Sequence, residues 1–392
     1  MTPAARVQSA IGILDLVIAA SHAKGAPADR IVGEWAKNNR YAGSKDRRAI
    51  RELVYGAIRA CGPVPKTGRA AMLRLAESDA TLRPLFDGSQ YGPAAIVEGE
   101  PVAKGGIAPV WLVERLAASS IEGDEAAALL DRAPLDVRVN TLKAARDAVL
   151  LPEQGEPLAA PNALRLPTGK QIAQWPAYRD GHIEVQDHGS QWACAMVGAR
   201  PGETVIDLCA GAGGKTLALA AAMKNTGTLV ASDTDRGRLS RLTPRAERAG
   251  ATNIASVLLN PGREAEALAN YRLAADAVLV DAPCSGTGTW RRNPESRWRL
   301  TADELARYVL AQARLLDLAA TLVKPGGRLV YVTCSLLDEE GAEQIAHFLD
   351  ANPEWRIAPR DCPIGQAHGR GRRLTPYHDG TDGFFIACLT SP

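Results

Sequence analysis

A chain of 392 residues exceeds one ordinary domain of roughly 100 to 200 residues, so two or three domains are expected. Hydrophobic residues at 46% and charged residues at 23% are an ordinary globular balance. No apolar run approaches the roughly 18 residues that cross a bilayer, so no membrane partner is expected. The net charge of +2 excludes a uniformly basic surface, and any polyanion contact must come from local patches.

The opening segment has one early Arg, no cleavage-type ending and helical periodicity, which makes a poor signal peptide and predicts a cytoplasmic protein. Apolar spacing predicts helices over Ala5–Ala20, Pro27–Lys37 and Asp46–Arg59. Leu82–Pro109 turns rich in Gly and Pro and reads as a linker. Short helices follow at Val110–Ala118 and Asp124–Arg132, then an alternating strand over Leu135–Asn140. The domains expected are a helical region 1–125, a small α+β region 126–198 and an α/β domain 199–392.

In that last domain strands alternate with helices, which implies a mainly parallel sheet. Strands are expected at Thr204–Leu208, Thr228–Ser232, Ile254–Leu259, Ala277–Val280 and Arg328–Val332, with Phe384–Ala387 at a sheet edge. Helices are expected over Lys215–Met223, Arg236–Ala249 and from Thr301 to Val323.

Two short motifs follow buried-type strands: Asp281-Ala-Pro-Cys284-Ser285 and Thr333-Cys334-Ser335. In an open α/β sheet, ligands collect just past the carboxyl ends of strands, so two cysteines placed there suggest thiol chemistry at a shared site. Asp338-Glu339-Glu340 has the look of a helix start, whose positive end would favour a Cys334 thiolate. The seven cysteines are odd in number, scattered and without a Cys-x-x-Cys pair, which argues against a disulfide framework and against a metal site. Cys61, Cys194, Cys362 and Cys388 read as inert core thiols. His182 and His188 fall in a strand and turn and read as packed or exposed rather than as bases.

The loop Cys209-Ala-Gly-Ala-Gly-Gly-Lys-Thr216 ends like a phosphate-binding P-loop, but Cys209 stands where that loop demands glycine. What remains is a glycine turn after the first strand, with Asp233 at the end of the second, a pattern that suits a nucleoside. Nicotinamide dehydrogenases and S-adenosylmethionine methyltransferases share it, and a purely structural turn has the same look. Basic clusters lie at Arg40–Arg51, at Arg291, Arg292, Arg297 and Arg299, and at Arg370–Arg373. Trp298 between two arginines near Cys284 fits base stacking and phosphate contact.

Read in order, several motifs resemble those of the Sun/Nop family of RNA cytosine-5 methyltransferases, most of all its bacterial 16S rRNA methyltransferase B (RsmB/Fmu) type. They are Pro134-Leu-Asp-Val-Arg-Val-Asn-Thr141, Gln186-Asp187 with Ser190-Gln191, the loop from Asp207 to Thr216, Asp281 to Gly286, Arg291-Arg-Asn-Pro294, Thr333-Cys-Ser335 and Asp382-Gly-Phe-Phe385. The resemblance implies a class I S-adenosylmethionine methyltransferase, Rossmann-like, preceded by a small α+β region and a NusB-like helical RNA-binding domain. It implies S-adenosyl-L-methionine held by Cys209, Ala210, Gly211, Ala212, Gly213, Gly214, Lys215, Asp233, Asn260 and Asp281. Asn260 stands where the family has Asp, and Ala210-Gly-Ala212 replaces Ala-Ala-Pro.

By the same resemblance Cys334 is the nucleophile toward cytosine carbon 6, Cys284 assists product release and Asp281 binds the cytosine edge. Arg291, Arg292, Arg297 and Trp298 would contact RNA. The partner implied is 16S rRNA, with a monomer as the default. Two alternatives stay open: a DNA cytosine-5 methyltransferase using Cys284 as nucleophile, and a non-catalytic rRNA-binding assembly factor.

Overall fold

The computed structural model describes residues 1–358 and 360–392. The chain forms two compact units, Met1–Arg132 with Thr289–Thr301, and Ala133–Gly288 with Ala302–Pro392. The boundaries expected at 125/126 and 198/199 therefore fall differently. The small sheet and the larger one share a unit, and thirteen residues after the first cysteine motif belong to the helical unit.

The helical unit is built on Pro3–His22, Ala28–Asn38, Ser44–Ala60 and Gly68–Ser78. The last of these, capped by the Thr67 hydroxyl on the Ala70 amide, has no counterpart among the helices expected from apolar spacing. Pro27 is the N-cap of the second helix rather than a residue of its first turn. Helix Pro3–His22 is long and apolar enough to cross a membrane. Here that apolarity is spent on the core: Val7, Ile11, Ile13, Leu14, Val17 and Ile18 all pack inside the unit. The linker region does the same in part, because Leu82, Phe86 and Ala103 join that core.

Four strands, β1 (Leu135–Val139), β2 (Glu156–Pro157), β3 (Ala163–Leu166) and β4 (Ile183–Val185), make an antiparallel sheet in the order β2-β3-β1-β4. Asp136 on β1 is buried and held by two bonds from Arg165 on β3, at 2.7 and 2.9 Å. Asp187 then caps helix His188–Val197 through the Gly189 and Ser190 amides. This helix begins within the stretch whose pattern reads as strand and turn, and the motif residues Gln186, Asp187 and Gln191 serve its start.

The larger sheet contains β5 (Thr204–Asp207), β6 (Thr228–Asp233), β7 (Ile254–Leu258), β8 (Ala275–Asp281), β9 (Val323–Thr333), β10 (Arg356–Ile357), β11 (Gln366–His368), β12 (Gly371–Leu374) and β13 (Phe384–Thr390). Its order is β11-β12-β13-β9-β8-β5-β6-β7, with β10 beside β13. Strands β5 to β9 run parallel and β13 is antiparallel to β9. The apolar run of β8 is buried on both faces, as a central parallel strand must be. Phe384–Ala387 is not an edge, since β13 is flanked by β9 and β12. The chain leaves β5 toward β6 and β7 and returns to β8, so the switch point lies between β5 and β8, where such sheets bind ligands.

Candidate active site

Register decides which side chains meet. Asp281 at the end of β8 pairs with Val332 on β9, so the loops carrying Cys284 and Cys334 leave the sheet side by side. Their Sγ atoms are 3.4 Å apart. A layer of hydroxyls beneath them fixes both loops: Ser335 Oγ lies 3.2 Å from Ser285 Oγ and 3.1 Å from Thr287 Oγ1. Thr287 Oγ1 accepts from the Leu336 amide at 2.9 Å, and the Gly288 amide donates to the Cys334 carbonyl at 3.0 Å. Gly288 and Gly383 also lie back to back. A Cβ on Gly288 would sit 2.2 Å from the Gly383 carbonyl oxygen, which gives Asp382-Gly-Phe-Phe385 a steric meaning.

A half-buried cation lies within electrostatic reach of Cys334. Lys215, at the start of helix Gly214–Ala222, puts its ammonium 2.7 Å from the Asp281 carboxylate. Burial opposes that charge, but Asp281, Cys194 and Cys334 outweigh it and leave the Lys215 pKa above its ordinary value. The Cys284 thiol is pushed well above the usual range, first by its hydrogen bond with Cys334, then by burial and by the charges of Cys334 and Glu340. These influences favour the neutral form of the Cys284 thiol.

The glycine loop lies past the end of β5. Gly211 and Gly213 take positive φ values of 55° and 85°, and a Cβ on Gly213 would strike Leu242. Asp233 stands where the sequence placed it, with Oδ2 accepting from the Gly211 amide at 2.8 Å and Oδ1 from the Asp235 amide at 2.7 Å. Each oxygen keeps a second lone pair, the acceptor set a ribose diol requires. Arg245 holds the Ala212 carbonyl at 2.7 Å, a support the sequence does not signal. Asp207, fully buried, accepts from the Thr216 hydroxyl at 2.6 Å, and burial raises its pKa to about 7. Cys209 is raised well above the ordinary thiol range by burial and then by Asp281, Asp207 and Asp233, which fits a packed loop thiol. Ala210 is buried, Gly214 opens the helix, and Asn260 lies exposed beyond β7.

Of the four residues expected to contact RNA, Arg297 and Trp298 are taken up by the packing of the helical unit. Arg297 has no exposed surface, and it donates to the carbonyls of Ile58 and Cys61 at 2.7 Å each and to that of Pro294. Trp298 is buried in the helical core with its indole N–H on the Gly62 carbonyl at 3.1 Å. A ring enclosed in this way offers no face to a base. Arg291 is also buried, with a guanidinium nitrogen 3.3 Å from the Arg132 carbonyl, while Arg292 is half-buried. His188 is a packed histidine, its Nε2 accepting from the Ala160 amide and the Trp192 indole.

Glu340 does not open the helix expected after Cys334. It lies in a short 3-10 turn ahead of helix Ala342–Ala351 and folds back, fully buried, onto Ser285. Nothing in local spacing signals that contact across 55 residues.

A family profile described as 16S rRNA methyltransferase RsmB/F matches residues 195–390. The ribosomal RNA small subunit methyltransferase B of Pasteurella multocida is 34% identical over 290 residues, covering 72% of this chain and 64% of that protein. The protein of the same name from Erwinia tasmaniensis is 33% identical over 351 residues, covering 87% and 77%. The chain thus spans less than two thirds of the Pasteurella relative. A crystal structure titled PH0851 superimposes with a TM-score of 0.78 at 29% identity, covering 99% of each chain.

Proposed function

Because the chain belongs to the 16S rRNA methyltransferase RsmB/F family, we propose that it methylates carbon 5 of a cytosine in 16S rRNA with S-adenosyl-L-methionine as donor. The observation that carries this reading is the Cys284–Cys334 pair, 3.4 Å apart beside the Lys215–Asp281 ion pair. Cytosine carbon 5 is a poor nucleophile, and a thiolate added at carbon 6 pushes electron density onto it. Cys334 forms that bond. When bound, the cofactor supplies an electrophilic methyl group. The glycine loop and Asp233 fit its nucleoside through the turn at positive φ and the carboxylate lone pairs described above.

Asp281 receives the cytosine N3/N4 edge, with Lys215 fixing the carboxylate. Once a base, solvent included, has taken the carbon-5 proton, the electrons of that C–H bond restore the ring double bond and expel the Cys334 sulfur as thiolate. Cys284, 3.4 Å from Cys334, assists that release. A Cys284 nucleophile, the DNA-type alternative, would ionise against its hydrogen bond with Cys334 and against burial. The target base must leave its stack to reach a thiol, which favours loops or unassembled rRNA.

The test is a denaturing gel with undermodified small-subunit rRNA and S-adenosylmethionine. Cys284→Ala is expected to accumulate a denaturation-resistant protein–RNA adduct, while Cys334→Ala forms none and transfers no methyl. An adduct that requires Cys284 reverses the roles. No adduct and no transfer from any form would leave a binding protein.

A further inference from the structure

We infer that Glu340 is a positioning residue that sets the place of the Cys284 thiol against Cys334. Its carboxylate accepts from the Ser285 amide at 2.8 Å, from the Ser285 hydroxyl, and from Gln312 Nε2 at 3.0 Å. Among the described residues no cation pairs with it. A buried carboxylate without a counter-ion is costly unless hydrogen bonds satisfy it, and two of these three come from the residue after Cys284. The other end of the brace is equally fixed. The Glu340 carbonyl accepts from the Tyr331 hydroxyl at 2.8 Å, and Tyr331 lies on β9 three residues before Cys334.

Gln312, on helix Ala302–Leu322, completes the brace by also donating to the Pro283 carbonyl at 2.9 Å. Both residues flanking Cys284 are therefore held from Glu340 or its immediate partner. The hydroxyls of Ser335 and Thr287 align the loops below the thiols, and Glu340 anchors the Cys284 loop from the side of β9. Its charge also favours the protonated Cys284 thiol. A displacement of about 1 Å in a reacting group can cost about 100-fold in rate, so a loop carrying a catalytic thiol gains from such a brace.

Diamide tests the juxtaposition in the full-length protein without RNA or methyl donor. It takes one hydrogen from each thiol as the S–S bond forms and is reduced to its hydrazine; peptide mapping identifies the Cys284–Cys334 product. Wild type is expected to close this bond readily, Glu340→Ala at least about 10-fold more slowly, and Glu340→Gln within about threefold of wild type. Ser285→Ala removes only the hydroxyl bond and is expected to slow closure about threefold; it carries the test if Glu340→Ala does not fold. Closure at the wild-type rate in both Glu340→Ala and Ser285→Ala overturns the inference.

What Cys284 does once placed rests on the methylation reading above, and Glu340→Ala is then expected to trap the RNA adduct as Cys284→Ala does, with Glu340→Gln restoring turnover. Slowed closure with no adduct from any form keeps the positioning role and removes the two-thiol reading. Unchanged closure with a trapped adduct removes the positioning role and keeps the chemistry.

Discussion

Cys284–Gly288 and Trp290–Arg299 are adjacent in the chain and equally dense in residues that do chemistry, yet they end in different surroundings. The first stays with the sheet, Cys284 half-buried and its neighbours tied to Ser335, Thr287 and Glu340. The second belongs to the helical unit, where Trp290, Arg297 and Trp298 are buried and Arg297 terminates the carbonyls of helix Ser44–Ala60. Residue type and nearness in sequence were the same argument for both. A guanidinium or an indole serves structure as readily as recognition when unpaired carbonyls lie within reach.

The largest effect that would break this contrast is at Cys334. Cys334→Ala is expected to lower methyl transfer by at least about 10^4-fold while its melting temperature stays within about a degree or two of wild type, measured by single-turnover transfer and calorimetry. Trp298→Ala is expected to do the reverse in kind, destabilising the helical unit by about 3–5 kcal/mol in a denaturant titration. Retained stability with lost RNA affinity would return Trp298 to the recognition surface.

Asp207 sharpens the comparison inside the sheet unit. Its folded pKa of about 7 lies above the unfolded value of 3.8, so its contribution is complete below about pH 4 and is lost as pH rises through 7, with a slope of about 1.4 kcal/mol per pH unit between the two values. Asp207→Asn, which keeps an acceptor for Thr216, is expected to flatten stability against pH between about 4 and 7. An unchanged profile would show that another group sets it. The smallest effect belongs to the exposed bases Lys45 and Arg48. Replacing either with Ala is expected to change stability by less than about 0.5 kcal/mol and to reduce the salt slope of RNA binding by about one. An unaltered slope would place the RNA elsewhere.

Much of the sheet was legible because parallel strands and their crossover helices carry strong local periods, and β5, β6, β7 and β9 begin within a few residues of their expected places, β9 starting earlier by including Val323–Gly327. Helix Gly68–Ser78 was not, since its apolar residues follow a Gly- and Pro-rich stretch that reads as irregular. Nor was the inner place of β13, because strand order depends on pairing across fifty residues and more.

The sequence by itself determined the order of strands and loops, the glycine turn with Asp233, and the two cysteines past strand ends, because each follows from residues that are neighbours along the chain. Only the tertiary structure decided that the thiols meet, that Glu340 braces one of them, and that Arg297 and Trp298 face inward. Local pattern dictates which side of an element turns from water, and the partner waiting on that side is chosen by segments far away, through contacts no short-range period encodes.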